Sequence, residues 1–130
     1  MMFYKNKIAL IDSQDAVLGN PAYDLASLID DVRIKTSNSF KSNILKVFLS
    51  KFKYKNESQF INDFEILSVL RNLKIIGIFT RLANRDKKKK YLKLIPYAWK
   101  LIDNRMKNNS NFNDLINFLK ENPKIKKNEN

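Results

Sequence analysis

Cysteine and histidine are both absent from these 130 residues, and there are only two glycines and three prolines. Without cysteine there is no disulfide framework and no thiol nucleophile, and Cys/His zinc sites are excluded. A Ser-His-Asp triad, or any other histidine base, cannot be built within the chain. The shortage of Gly and Pro argues against a turn-rich sandwich or barrel and favours long helices. Apolar runs such as residues 8–11 and 75–79 are too short to span a bilayer. Lys5 and Lys7 precede only a four-residue apolar stretch before Asp12, too little for a signal peptide, so the expected compartment is cytoplasmic.

What is abundant is positive charge. Lys+Arg is 25 against Asp+Glu 13, a formal net charge of +12. The excess needs discounting, because 20 Lys, 17 Asn and 14 Ile have the look of an AT-rich coding bias that spreads lysine over any surface. A nucleic-acid footprint should be clustered and accompanied by arginine or stacking aromatics, and only five residues are Arg. A basic, non-enzymatic module that binds nucleic acid or another polyanion is therefore the alternative and not the main expectation.

Residues 7–11 are apolar on both alternating faces, as in a short buried strand, and Met2, Phe3 and Tyr4 could pair with them through a Lys5-Asn6 turn. Asn20 offers an N-cap with Pro21 at the first helical position. The helix that follows, to about Arg33, carries Leu25, Leu28, Ile29 and Val32 on one face. A second helix over residues 39–53 should bury Phe40, Ile44, Val47, Phe48 and Phe52. Asn56 and Gln59 resemble a capping box opening a long helix over residues 57–84. Its apolar residues spread round most of its circumference, so it should run through the core. Gly77, in mid-helix, suggests close backbone packing there.

Arg71, Lys74, Arg81 and Arg85 share one side of that helix and its end. They either face a binding cleft, pair with acidic residues such as Asp30 and Asp31, or are simply exposed. The lysine run at residues 87–90 reads as a solvated loop. A helix over residues 91–106 must kink or restart at Pro96. Phe112, Leu115, Ile116 and Leu119 mark a last short helix. The expected organisation is thus mainly α, with a short N-terminal hairpin before a helical bundle. Residues 1–121 form one unit and residues 122–130 a disordered basic tail.

Residues 8–28 hold the pattern most suggestive of chemistry. Asp12 stands where a buried strand ends, before a short loop and a helix start. A carboxylate so placed suits a divalent cation held against phosphate oxygens, though a strand-terminal Asp also commonly forms a turn. The segment from Ile11 onward, Ile-Asp-Ser-Gln-Asp-Ala-Val-Leu-Gly-Asn-Pro-Ala-Tyr-Asp-Leu-Ala-Ser-Leu, resembles the distal motif of the aminoglycoside phosphotransferase family. Within that family it is similar to the bacterial branch of N-acetylmuramate/N-acetylglucosamine anomeric kinases. The likeness continues through Arg71, Asn72, Gly77, Arg81 and Arg85-Asp86, then Tyr91, Pro96 and Trp99, and covers roughly residues 7–121.

The resemblance implies the C-terminal lobe of a kinase-like α+β fold, with ATP and Mg²⁺ as cofactors and a small sugar as substrate. Asp12 matches the carboxylate that holds Mg²⁺ on the nucleotide phosphates. Asp24 matches a residue that braces the catalytic loop, although a plain helix N-terminal charge explains it equally. Asp15 matches a position without an assigned role. Ser13 stands where the family has Phe, and Asn20 replaces the first Pro of Gly-Pro-Pro. The family's His-Gly-Asp loop and nucleotide cradle have no counterpart here, so no catalytic or nucleotide-binding residue is expected in this chain. The expectation is a truncated or split sugar-kinase remnant, inactive alone, whose partner would be an upstream-encoded N-terminal half. Neither a membrane nor nucleic acid is the expected partner.

Overall fold

Residues 2–9, 18–52, 54 and 56–126 are described by the computed structural model of the chain. Strands β1 (Met2–Tyr4) and β2 (Lys7–Ala9) pair antiparallel with Phe3 opposite Ile8. Lys5 and Asn6 both take positive φ, 47° and 58°, the two-residue turn whose twist matches that of the flanking strands. Ile8 is 70% exposed. The strand is therefore not buried at that position, because a lone hairpin leaves one face uncovered.

Helix α1 (Ala22–Ile29) starts where Asn20 Oδ1 accepts from the Ala22 amide at 3.0 Å. It buries Ala22, Leu25, Ala26 and Ile29, and stops four residues short of Arg33. Leu28, expected inward, is 52% exposed, whereas Val32 beyond the helix is buried. Helix α2 (Asn38–Lys51) is capped by Ser37, whose Oγ accepts from the Phe40 amide at 3.2 Å. Phe40, Val47 and Phe52 are exposed. The inward stripe is instead Ile44, Leu45, Phe48 and Leu49, rotated by about one residue from the expected face.

Helix α3 (Glu57–Asn84) spans 28 residues, about 42 Å at 1.5 Å per residue, and is the spine of the molecule. Asn56 Oδ1 accepts from the Gln59 amide at 3.0 Å, so the expected N-cap forms. Its first half joins α1 and α2 in one core of Ala22, Leu25, Ala26, Ile29, Phe60 and Phe64. Its second half enters another, built on Ile95, Ala98, Trp99, Leu101 and Ile102. Gly77 faces solvent, and a Cβ placed there meets nothing within 4 Å. Among the described residues it is not a close-packing glycine.

Lys87 takes φ 57° and the Lys88 amide reaches back to the Leu82 carbonyl at 3.0 Å, ending α3. A 3₁₀ turn, Lys89–Leu94, then leads into α4 (Ile95–Met106). Pro96 lies in the first turn of α4, where its missing N–H costs no ladder bond, so the helix restarts there without a kink. Helix α5 (Asn113–Glu121) follows a second 3₁₀ turn, Ser110–Phe112, and buries Leu119. Residues Pro123–Ile125, expected in a disordered tail, form a 3₁₀ turn, and Lys126 Nζ bonds Asp103 at 2.6 Å. Among the described residues no helix is long and apolar enough to cross a membrane.

Candidate functional site

Asp30 ends α1 and sits between the two cores, 1% exposed. Its carboxylate collects donors from three helices. Lys41 Nζ of α2 reaches Oδ1 at 2.9 Å, and Ser68 Oγ of α3 reaches Oδ2 at 2.6 Å. Arg105 of α4 bonds both oxygens, Nε at 2.8 Å and Nη2 at 3.2 Å, with its guanidinium 4.7 Å from the Phe64 ring centroid. Burial alone pushes this carboxyl up. The Arg105 guanidinium, with help from Ser68 and Lys41, outweighs burial and holds it below the usual carboxylate value. The arrangement leaves no acceptor position on Asp30 open to a ligand, so its role is to fix the end of α1.

What Asp30 fixes is the wall of an open cleft of about 440 Å³. Asp24 and Ser27 from α1, Asp31 and Arg33 after it, and Arg71 from α3 supply its polar groups; Leu28 and Ile34 supply the apolar ones. Asp31 and Arg33 lock each other. Arg33 Nη2 bonds Oδ2 at 2.6 Å, Nε bonds Oδ1 at 2.9 Å, and the Arg33 amide also donates to Oδ1 at 2.9 Å. That hydrogen bonding holds the Asp31 carboxyl low, with Arg71 adding to the effect from nearby. Arg71 itself is half-buried, and its one hydrogen bond among the described residues is a long one, Nη1 to the Asp30 carbonyl at 3.4 Å. Such a mixture of hydroxyl, carboxylate, guanidinium and aliphatic groups suits a small polyhydroxylated ligand.

A cleft between α4 and α5, about 460 Å³ and floored by Met106, Ile116, Leu119 and Pro123, has a more apolar lining. It contains none of the candidate site residues named from the sequence. The C-terminal ends of both helices face it, which explains its rim lysines without a ligand.

The expected site residues are thus divided. Asp24 and Arg71 share the first cleft. Lys74 and Arg81 lie exposed further along α3, and Arg85 pairs with its neighbour Asp86 at 2.6 Å, so of the four stripe residues Arg71 alone lines the cleft. The expected pairing with Asp30 and Asp31 occurs only at Arg71, and there through a backbone carbonyl. Lys41 and Arg105 have taken the Asp30 carboxylate, and Arg33 has taken Asp31. Ser27, Arg33 and Arg105 were missed. Only the Asp30-Asp31-Val32-Arg33 string, with charges clustered at a helix end, could have pointed to them. Asp12, Ser13 and Asp15 lie outside the described residues.

Asp12, the expected ligand to the magnesium that the resemblance implies, lies outside the described residues. Among the described residues no three of His, Cys, Asp or Glu converge. Asp31, the carboxylate closest in sequence to Asp24 on the cleft wall, is already committed to Arg33.

A helical chain with a small polar cleft at the end of α1 is the class that the fold defines, and the comparisons sharpen it. No family model matches the chain. It is 34% identical over 97 residues to an N-acetylmuramate/N-acetylglucosamine kinase of Caulobacter vibrioides, covering 75% of this chain and 27% of that protein. It is 33% identical over 102 residues to the protein of the same name from Neisseria meningitidis, covering 74% and 30%. To the Pseudomonas aeruginosa protein of that name it is 26% identical over 109 residues, covering 79% and 32%. The chain is therefore similar to sugar kinases over about three quarters of its own length. It spans under a third of theirs.

Proposed function

We propose that this chain forms the helical part of the C-terminal lobe of an ATP-dependent sugar kinase and carries its acceptor side. The observation that supports the reading is the 26–34% identity to three kinases of one name, over stretches of 97–109 residues. In this reading the cleft of Asp24, Ser27 and Arg71 receives an N-acetylated amino sugar. Asp31 and Arg33 are occupied with each other and shape its wall, and Asp30 holds that wall in place. In this reading the chain belongs with the aminoglycoside phosphotransferases, which its resemblance over residues 11–28 supports, with Asp12 as a ligand to Mg²⁺ and Asp24 bracing the catalytic loop.

Phosphoryl transfer rests on positioning and on electrostatic stabilisation of the phosphates. These 130 residues contain no histidine, so no His-Gly-Asp loop lies among them. The chain alone supplies neither a base nor a nucleotide cradle. Activity then depends on a polypeptide carrying both, whether joined to these residues or separate. What the chain contributes is orientation: it holds the acceptor sugar against the transferred phosphate.

The test is complementation. The chain is co-expressed with the remaining part of the Caulobacter vibrioides relative, and the purified pair is assayed for ATP-dependent phosphorylation of N-acetylmuramate and N-acetylglucosamine. Activity that the chain alone lacks, and that Asp12→Ala abolishes in the pair, supports the reading. A co-purifying, folded pair without activity rejects it.

A further inference from the structure

Arg71 is the one cleft cation whose hydrogen-bonding capacity is largely unspent. A guanidinium carries five N–H donors in a planar fork suited to a carboxylate. Arg33, the other arginine of the cleft, directs its fork onto Asp31. The nearest buried carboxylate, Asp30, is filled by Lys41, Ser68 and two bonds from Arg105. Arg71 is left with a single 3.4 Å contact to a backbone carbonyl, although it is half-buried in the cleft wall. Asp31 lies near enough to feel Arg71 but gives its hydrogen bonds to Arg33, and a partly desolvated cation with no carboxylate in hydrogen-bond contact is stabilised by an anion from outside. Of the cleft's other charges, Asp31 and Arg33 cancel, which leaves Asp24 as the carboxylate available to accept from hydroxyl groups.

We infer that Arg71 is the specificity-determining residue of this cleft: its guanidinium receives the carboxylate of an acidic sugar, while Asp24 and Ser27 take hydroxyl groups that acidic and neutral sugars share. The assignment rests on the sugar-kinase reading above and adds to it a reason for one cleft to accept both kinds. Leu28 and Ile34, 52% and 62% exposed on the rim, offer an apolar edge to the C–H face of the ring in either case. The neutral sugar binds without Arg71, which then keeps its hydration. The acidic sugar gains a charge-assisted, two-pronged bond.

The experiment titrates the full ¹⁵N-labelled chain with N-acetylmuramate and, separately, N-acetylglucosamine, following backbone amides by NMR. Both sugars should perturb amides of residues 24–34, with the acidic one binding about tenfold more tightly at low salt and losing that advantage as salt rises. Arg71→Met should bring the two affinities together by weakening only the acidic sugar. Lys74 is exposed on α3 and outside the cleft lining, so Lys74→Met should leave the preference in place. If the two sugars bind but Arg71→Met preserves the preference, or if wild type shows none, the assignment is overturned while the sugar cleft stands. If neither sugar perturbs these amides, the sugar reading of the cleft fails, and the role of Arg71 fails with it.

Discussion

Replacing Gly77 by alanine should stabilise the chain. The residue sits near the middle of the second half of α3, away from both helix ends, and does not take positive φ. A Cβ there touches nothing within 4 Å, so no steric penalty opposes the change. Glycine in a helix interior is about 1 kcal/mol less favourable than alanine, largely because its unfolded state is freer. Unfolding entropy of about 2.1 cal/mol/K per residue gives roughly 0.27 kcal/mol/K for a chain of this length, so the melting temperature should rise by about 3–4 °C. Thermal melts of both proteins by far-UV circular dichroism, at several concentrations, read this directly. An unchanged or lowered melting temperature would refute the reasoning, because it would mean that something meets that face of α3 in solution. A drop that appears only at high concentration would identify that neighbour as a second copy of the chain.

Asp30→Asn should cost about 3–5 kcal/mol in urea unfolding, since it strands the Lys41 and Arg105 charges at a buried junction. A loss below about 1 kcal/mol would mean that the cluster behaves like a surface pair. Lys41→Met should cost less than Asp30→Asn, because Asp30 keeps Arg105 and Ser68; the reverse order would refute the ranking. The Asp30 carboxyl titrates below its ordinary value of 3.8 in the folded chain, so its contribution is complete above the unfolded value and is lost as pH falls through the folded one. Urea midpoints should therefore hold steady down to about pH 4 and then decline, with a shallower decline in Asp31→Asn, which removes a second carboxyl lowered in the same way. Asn56→Ala should remove the α3 cap and about 1 kcal/mol, read as a shift of the urea midpoint.

The positions of the helices were legible because they rest on local rules. Asn56 and Ser37 cap as their type suggests, and Pro96 restarts a helix as its missing donor requires. Which face each helix buries was less legible. In α2 the apolar residues at 40, 44, 45, 47, 48, 49 and 52 fill more than one side, so spacing alone could not rank the faces. The decision lies with a neighbour: Phe48 stacks on Phe60 of α3 at 5.5 Å between ring centroids, and this turns Val47 outward. Gly77 misled for a similar reason, because a mid-helix glycine looks the same in sequence whether it is packed or exposed. The cleft was half legible. Asp24 and Arg71 could be named from the resemblance, but the partners of Asp30 come from residues 11 to 75 positions away, which no local pattern encodes.

Those long-range partners explain why stability and the cleft share one origin here. The two apolar cores share α3, and an apolar residue at position 30 could join them as well as a carboxylate does, or better. A carboxylate differs in what it demands. It must be met by a hydroxyl from α3, an ammonium from α2 and a guanidinium from α4 in one geometry, so it fixes the mutual placement of four helices more narrowly than apolar contact would. The consequence falls on the next residues. With Asp30 saturated, Arg71 finds only its carbonyl, and Asp31 is left to Arg33. The same bonds that hold the cores together thus decide which cation of the cleft is free to meet a ligand.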